Sequence, residues 1–354
     1  MAISLDQCRQ MPKVDLHLHL EGAISAECLC EIAKRNGLER EVPSVAGAGS
    51  LMRFSTPKEF FRQFLFVSGF IRTAADLGAV TDDLLRRLTE ENVLYAEITL
   101  APRKFIRAGI PYPALLSELE RAADQSRQCG GTEVRYIMDM VRNLGPDRGM
   151  ELLDLMEQHP SRWVVGVGLG GGEGYPPELS VVPFRRAGKM GLHRTVHAGE
   201  GAGPPSIWGT LERLNAERID HGTRAGEDPK LVEYLAEHRI PLNMCLTSNL
   251  ALGVVSSLAE HPAWKYCQAG IPVTLGTDDP SFFGSTLSQE CFLLAQVFDL
   301  SMEDLQRIQR NAVGAAFLDK EEKAELRDRL ERGFEGLCCG EEEPQRHKDT
   351  KAEM

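Results

Sequence analysis

The sequence predicts an α/β fold, a (β/α)8 TIM barrel with a helical insertion after the first strand and extra C-terminal helices. Three observations carry that expectation. Apolar, β-rich runs alternate with amphipathic helical stretches, the repeating unit of a parallel sheet, and eight such runs can be marked. At 354 residues the chain has a length that α/β barrels often use as one unit. Polar residues suited to chemistry fall at the ends of runs far apart in sequence, where a barrel would gather them at one rim. An open doubly wound sheet accounts for the alternation but not for that placement.

The first run, Val14-Asp-Leu-His-Leu-His-Leu20, alternates strictly. Val14, Leu16, Leu18 and Leu20 take one face of a strand, and Asp15, His17 and His19 the other. Glu21-Gly22 turns the chain and Ser25 suits the N-cap of a helix. Residues 39–55, rich in Gly, Pro, Ala and Ser, read as a loop. Pro57 suits the first turn of a helix that carries Phe60, Phe61 and Phe64 at helical spacing, either a core stripe or an apolar cover over a pocket. Helices are then expected over Ala79–Glu91, Tyr112–Gly130 and Pro146–Gln158, between strands at Val93–Ala101, Val134–Val141 and Trp163–Gly170. Short helices separate the last strands, at 194–197, 218–221, 240–246 and 271–278. Beyond Glu290 the chain reads as helical, with a capping signal at Ser301-Met-Glu-Asp304 and a charged amphipathic helix over Lys320–Phe334. One domain is expected over residues 1–339, followed by a disordered polar tail over 340–354.

Composition narrows the function. A formal net charge of −12 argues against nucleic acid and membrane surfaces as partners, because binding phosphates needs a clustered basic surface. A small neutral or singly anionic ligand is compatible with it. No apolar run approaches the ~18 residues of a membrane span, and the N-terminus lacks the pattern of a signal peptide. The nine cysteines are scattered without Cys-x-x-Cys, so reduced thiols in the cytoplasm are the expectation. Nothing in the pattern sets an oligomeric state.

The chemistry is carried by four blocks. On the first strand His17 and His19 are neighbours on one face; a solvated polar face is the plain alternative. Thr195-Val-His-Ala-Gly-Glu200 delivers a histidine and, three positions on, a carboxyl group. A neutral imidazole can hold a metal, and a carboxyl group close by can move a proton to or from what the metal activates. Alone, His197 reads equally well as a core histidine. His221 and the pair Asp278-Asp279 end two further strands. Adjacent residues on a strand face opposite ways, so both aspartates share one site only where the strand gives way to loop, and Pro280 supports such a break; a helix-capping turn is the alternative there. Together the blocks point to a mononuclear metal hydrolase.

Pro12-Lys-Val-Asp-Leu-His-Leu-His-Leu-Glu-Gly-Ala-Ile24, His197-Ala-Gly-Glu200, Ile219-Asp-His-Gly222, Cys245-Leu-Thr-Ser-Asn249 and Gly276-Thr-Asp-Asp-Pro280 resemble the signature blocks of the adenosine deaminase-like family, in order and spacing, over about residues 10 to 335. The resemblance implies a metal-dependent barrel that hydrolyses the exocyclic amine of adenine-type rings. It makes His17, His19, His197 and Asp278 the ligands of one metal, zinc by donor type, with iron, cobalt or manganese able to occupy the same set. Related enzymes with two metals bridge them by a lysine after the fourth strand; here that strand ends in Gly168-Leu-Gly-Gly-Gly172. By the same resemblance Glu200 protonates ring N1, His221 orients the attacking water and takes its proton, and Asp279 holds the hydroxide or ring N7. Gly171 offers its N–H to ring N3, Ser248 steadies the His221 imidazole, and Phe60, Phe61 and Phe64 form a lid.

Two departures lie on the sugar side. Glu21 and Gly168 stand where nucleoside-specific members usually carry aspartates, so Glu21 is a candidate contact to a substituent on N9 whose nature stays open. His261-Pro262 and the Asp278-to-Gly284 run lean towards the bacterial adenine and aminodeoxyfutalosine branches. The expected substrate is a 6-aminopurine compound: adenosine, adenine or a related N9-substituted adenine such as aminodeoxyfutalosine. A second class for the same fold is metal-assisted hydrolysis of an ester, lactone or phosphotriester. A binding protein with a vestigial site is a third, though no ligand or acid is missing. The cytidine deaminase type of zinc site, with His-x-Glu and Pro-Cys-x-x-Cys, is excluded because neither pattern occurs.

Overall fold

A computed structural model of the chain describes residues 3–339. Eight parallel strands follow one another round a barrel in chain order: β1 (Lys13–His19), β2 (Val93–Leu100), β3 (Glu133–Asp139), β4 (Val164–Gly168), β5 (His193–Ala198), β6 (Arg218–His221), β7 (Leu242–Met244) and β8 (Val273–Leu275). The ladder closes just beyond β8, where Leu18 bridges Asp278 in parallel. There the His19 N–H donates to the Asp278 carbonyl at 2.8 Å and the Asp278 N–H to the His17 carbonyl at 2.9 Å.

In β1 the alternation works as expected, with a difference in what the polar face meets. Val14, Leu16, Leu18 and Leu20 are buried, and so are Asp15 and His17. The polar face looks into the barrel rather than to water: Thr277 donates its hydroxyl to Asp15 at 2.8 Å. The helices also start where their caps dictate. Ser25 accepts from the Cys28 N–H, Thr56 precedes Pro57 at the head of the Pro57–Val67 helix, and Ser301 with Asp304 forms a capping box. In the last helix, Lys320–Cys339, Leu326, Leu330 and Phe334 recur every fourth residue and are buried, while its charges face out.

The segment 39–55 differs from the loop expected of it. Val45–Leu51 is a short helix, started by the Ser44 hydroxyl accepting from the Gly47 N–H and held down by buried Ala48. A cap and a packing face outweigh the weak helix propensity of its glycines. The tail expected to be disordered lies outside the described residues.

At the end of the barrel away from the candidate site, Arg218 and Glu97 form a fully buried ion pair at 2.6 Å. Glu97 also accepts from the Tyr95 hydroxyl, and Arg218 donates to the Ala315 carbonyl and lies over the Phe317 ring. Removing one partner of such a pair strands a buried charge, at about 3–5 kcal/mol. Glu97→Ala is therefore expected to lose about that much stability in urea unfolding, while the protein that remains folded keeps its metal stoichiometry.

Candidate metal centre and acid–base site

Strand ends converge as the barrel geometry requires. His17 Nε2 and His197 Nε2 are 3.2 Å apart, and His19 Nε2 lies 3.1 Å from His197 Nε2. Asp278 Oδ1 stands 3.7 Å from His17 Nε2 and 3.5 Å from His19 Nε2. Atoms bound to one cation at about 2.0–2.1 Å in a tetrahedral array stand roughly 3.3 Å apart, so this set fits a metal ion. Protonation argues the same way. The Nδ1 of His17 faces the Asn243 carbonyl at 3.2 Å, which fixes the ring proton there and leaves a lone pair on Nε2. Burial pushes His19 down to about 4 and His197 well below the ordinary imidazole value, so neutral rings point their nitrogens at one another. Hydrogen bonds cannot satisfy three such lone pairs at once; a shared cation can.

Asp278 reaches the cluster through a backbone distortion. Its φ is +58°, left-handed for a non-glycine residue, and it lies at the point of barrel closure. Such a conformation costs about 1–3 kcal/mol and persists only where the surroundings enforce it. It is also what brings Asp278 and Asp279 to one site, the break that Pro280 announced. Asp279 then packs so tightly over Gly22 that a Cβ added there would lie 1.8 Å from its Oδ1. The pair divides the charge. Burial works against an ionised Asp278, but His17, His221, His19 and the Ser248 hydroxyl hold its carboxyl below the usual value. Burial and the neighbouring Asp278 push Asp279 well above it.

His221, also at positive φ (+68°), has its Nε2 3.7 Å from Glu200 Oε1 and 4.0 Å from Asp278 Oδ2. The ligand atoms of His17, His197, His221 and Asp278 all lie within 4.8 Å of one another, so His221 borders the cluster that His19 completes from the other side. Glu200 Oε1 and Asp279 Oδ1 are buried without a hydrogen-bond partner among the described residues. Burial first, then Asp278 and Glu173, pushes the Glu200 carboxyl up to about 8.

Two expectations need correction. Among the described residues Ser248 makes no hydrogen bond to His221; its hydroxyl donates to Asp278 Oδ2 at 2.5 Å. The partner of His221 is the next residue, Asn249, whose amide donates to Nδ1 at 3.2 Å and is itself fixed by Thr223 and His261. One residue along a helix turns a side chain by about 100°, enough to exchange the two roles. This contact leaves the Nε2 of His221 facing Glu200 and Asp278. Phe61 is the second correction: it is 52% exposed. Phe60 and Phe64, four residues apart on one helix face, pack on Phe282, with Phe60 also stacked on Phe283, so these two tie the helix to the loop after β8.

Just after β1, next to the Gly22 that packs on Asp279, Glu21 is buried, with burial raising its carboxyl, and accepts from the Ala101 N–H at 2.8 Å. Gly171 takes φ +87°, where an added Cβ would meet Asn143 Oδ1 at 2.5 Å, so only glycine fits. Next to Gly168 the space is met by Asp139 from β3, whose Oδ1 accepts from the Gly170 N–H at 2.6 Å. The motifs did not mark Asn249 as a contact of His221, nor Gly22, Asp139 or Glu173. Asn249 and Gly22 did lie inside quoted motifs; Asp139 and Glu173 carry no local signal.

A profile of the family described as Adenosine deaminase matches residues 12–332. The chain belongs to the adenosine deaminase family. It is 37% identical over 320 residues to an aminodeoxyfutalosine deaminase of Streptomyces avermitilis, covering 89% of each chain. It is 34% identical over 328 residues to an adenine deaminase of Albidiferax ferrireducens, covering 92% of this chain and 95% of that one. Among solved structures, an adenine deaminase from Arthrobacter aurescens superposes with a TM-score of 0.87 at 28% identity, covering 92% of this chain and 99% of the other. An amidohydrolase from Burkholderia ambifaria, solved with bound zinc, gives a TM-score of 0.88 at 25% identity, covering 96% and 95%.

The corrected contacts separate two functions within the motif block 245–249. Ser248→Ala is expected to weaken metal affinity about 10–100-fold in competition with a chromophoric chelator, because an oriented carboxylate ligand loses its support. Asn249→Ala is expected to keep full metal content and lose turnover instead.

Proposed function

We propose that the protein hydrolyses the exocyclic amine of a 6-aminopurine compound, giving the 6-oxo product and ammonia. Family membership and the relatives support the class, a metal-dependent hydrolytic deaminase. The observation that carries the residue assignment is the unpartnered, buried Oε1 of Glu200 beside His221 and the ligand cluster. A carboxyl group left unsatisfied at such a place is waiting for a proton acceptor on the substrate.

His17, His19, His197 and Asp278 hold the cation in this reading, and His221, turned towards Glu200, stays free for the reaction. Zinc is the proposed metal, on the donor set and on the zinc bound in the Burkholderia relative. A bound divalent cation lowers the pKa of a coordinated water towards neutrality and so supplies the nucleophile. The chain's own groups do the rest. Glu200 delivers its proton to ring N1 as C6 is attacked, which removes the charge that loss of aromaticity would place on the ring. His221 orients the attacking oxygen through Nε2 and, in the tautomer that carries its ring proton on Nδ1, takes up the proton that this oxygen loses. Protonated Asp279 donates to the attacking oxygen or to N7. Gly171 offers its N–H to N3, and Phe60 and Phe64 screen the ring from water. Glu21 faces the N9 substituent. Adenine and aminodeoxyfutalosine are the first substrates to test, because relatives named for them match almost the whole chain. The cytosol is the proposed compartment, consistent with the free cysteines among the described residues. Among those residues no single helix is long and apolar enough to cross a membrane.

Glu200→Gln is expected to retain metal and lose at least ~10²-fold in kcat, the usual contribution of a placed acid, in an ultraviolet assay with ammonia release as a second readout. Hydrolysis of an ester or lactone needs no ring acid, so near-normal turnover in that variant would refute the assignment. Chelation is expected to abolish turnover and zinc to restore it. A panel of adenine, adenosine, AMP, N6-methyl-AMP and aminodeoxyfutalosine then identifies the substituent on N9.

A further inference from the structure

The turn that presents Glu200 is gripped by a residue outside every recognised motif. Glu173 lies on the loop after β4. Its Oε2 accepts from the Gly199 N–H at 3.0 Å, and its Oε1 from the N–H groups of Glu200 and Gly201, both at 2.8 Å. The Ser206 hydroxyl donates to Oε2 at 2.6 Å. One carboxylate thus gathers three consecutive backbone donors and a side chain from the first turn of the Pro204–Leu214 helix.

We infer that Glu173 is the positioning residue for Glu200, fixing through the backbone of residues 199–201 the direction in which that carboxyl group enters the pocket. Glu200 has nothing else to hold it. Its Oε1 is buried without a partner, so no side-chain bond aims it at the substrate. The peptide planes on either side of it are what remains, and both of their N–H groups end on Glu173. The turn itself has no slack: Gly199 takes φ +76°, and a Cβ there would lie 2.4 Å from Ile207 Cδ1. Arg142 completes the grip from β3's loop, donating to the carbonyl of His197 just before the turn and to that of Tyr175. A ligand and an acid three residues apart are thereby held by two neighbouring loops. Hydrogen bonds to a carboxylate are the stronger kind, and loss of such outer support typically costs 10–100-fold.

The inference rests on Glu200 being the acid, and a double-mutant cycle tests the two separately. Glu173→Gln keeps the size of the side chain but replaces one acceptor oxygen with a donor that faces backbone N–H groups. In the parent background we expect it to lower kcat by at least ~10-fold, with KM within about 3-fold and metal content unchanged. In the Glu200→Gln background, where no proton remains to be aimed, the same substitution is expected to cost less than about 3-fold. Should Glu173→Gln fail to fold, Glu173→Asp, which retracts the carboxylate by one methylene, is read through the same cycle. Equal losses in both backgrounds, a parent-like kcat, or a fall in metal content that accounts for the loss would overturn the positioning role. Full activity of the single variant Glu200→Gln would remove the acid assignment itself, and this inference with it.

Discussion

The site depends on how the barrel closes. β8 meets β1 through two backbone hydrogen bonds that flank Asp278, and the residues they join are His17, His19 and Asp278 themselves. The closing seam and three of the four proposed metal ligands are therefore the same piece of structure. A register slip of one residue would turn the imidazoles of β1 outward and close the barrel on leucines. Burial of Val14, Leu16 and Leu18 resists that slip, so the apolar face of β1 enforces the polar one. The left-handed backbone at Asp278 is the cost of seating a carboxylate where the strand ends, and closure on both sides of it keeps the residue there.

Charge explains why the cluster is poised for a cation. Asp15, Asp220, Asp278, Asp279 and Glu200 all lie near the histidines, with little solvent to screen them. Burial raises the carboxyl of Asp15 to about 6 and, with Asp278 beside it, that of Asp279 well above its usual value, while the groups around Asp278 hold its carboxyl low. Burial lowers His19 and His221 to about 4 and His197 well below the ordinary imidazole value, so these three rings add no positive charge. What is left is one carboxylate and converging lone pairs, a set that a divalent cation completes and that water or a proton satisfies poorly.

Much of this was legible in the chain. Period-two alternation in β1 gave both the strand and the face its histidines share, and the spacing of polar strand ends implied a closed barrel. Contacts set by a single helical step were not. Ser248 and Asn249 sit side by side in one motif, and only coordinates say which of them faces Asp278 and which His221. Phe61 fails for the same reason, since its spacing from Phe64 is helical but its direction is not that of Phe60. Glu173 was invisible on other grounds. Its meaning lies in three backbone N–H groups about 27 residues further on, and a backbone donor leaves no mark in the sequence.

Glu173 also has a counterpart across the rim. Glu290, buried and pushed up to about 7 by that burial, accepts from the N–H groups of Leu246 and Thr247 and from the Thr247 hydroxyl. It holds the turn that carries Ser248 and Asn249 as Glu173 holds the turn that carries Glu200. In one place a carboxylate on a loop and in the other a carboxylate in the Leu287–Phe298 helix pins backbone donors, so a side chain proposed to act in the reaction is held through its own backbone. These pinned turns follow β5 and β7. The residues proposed to face the substrate come from the same strand ends: Glu21 follows β1, which carries His17 and His19, and Gly171 shares the loop after β4 with Glu173. The turn proposed to carry the acid and the residues proposed to meet the substrate are thus held by shared loops.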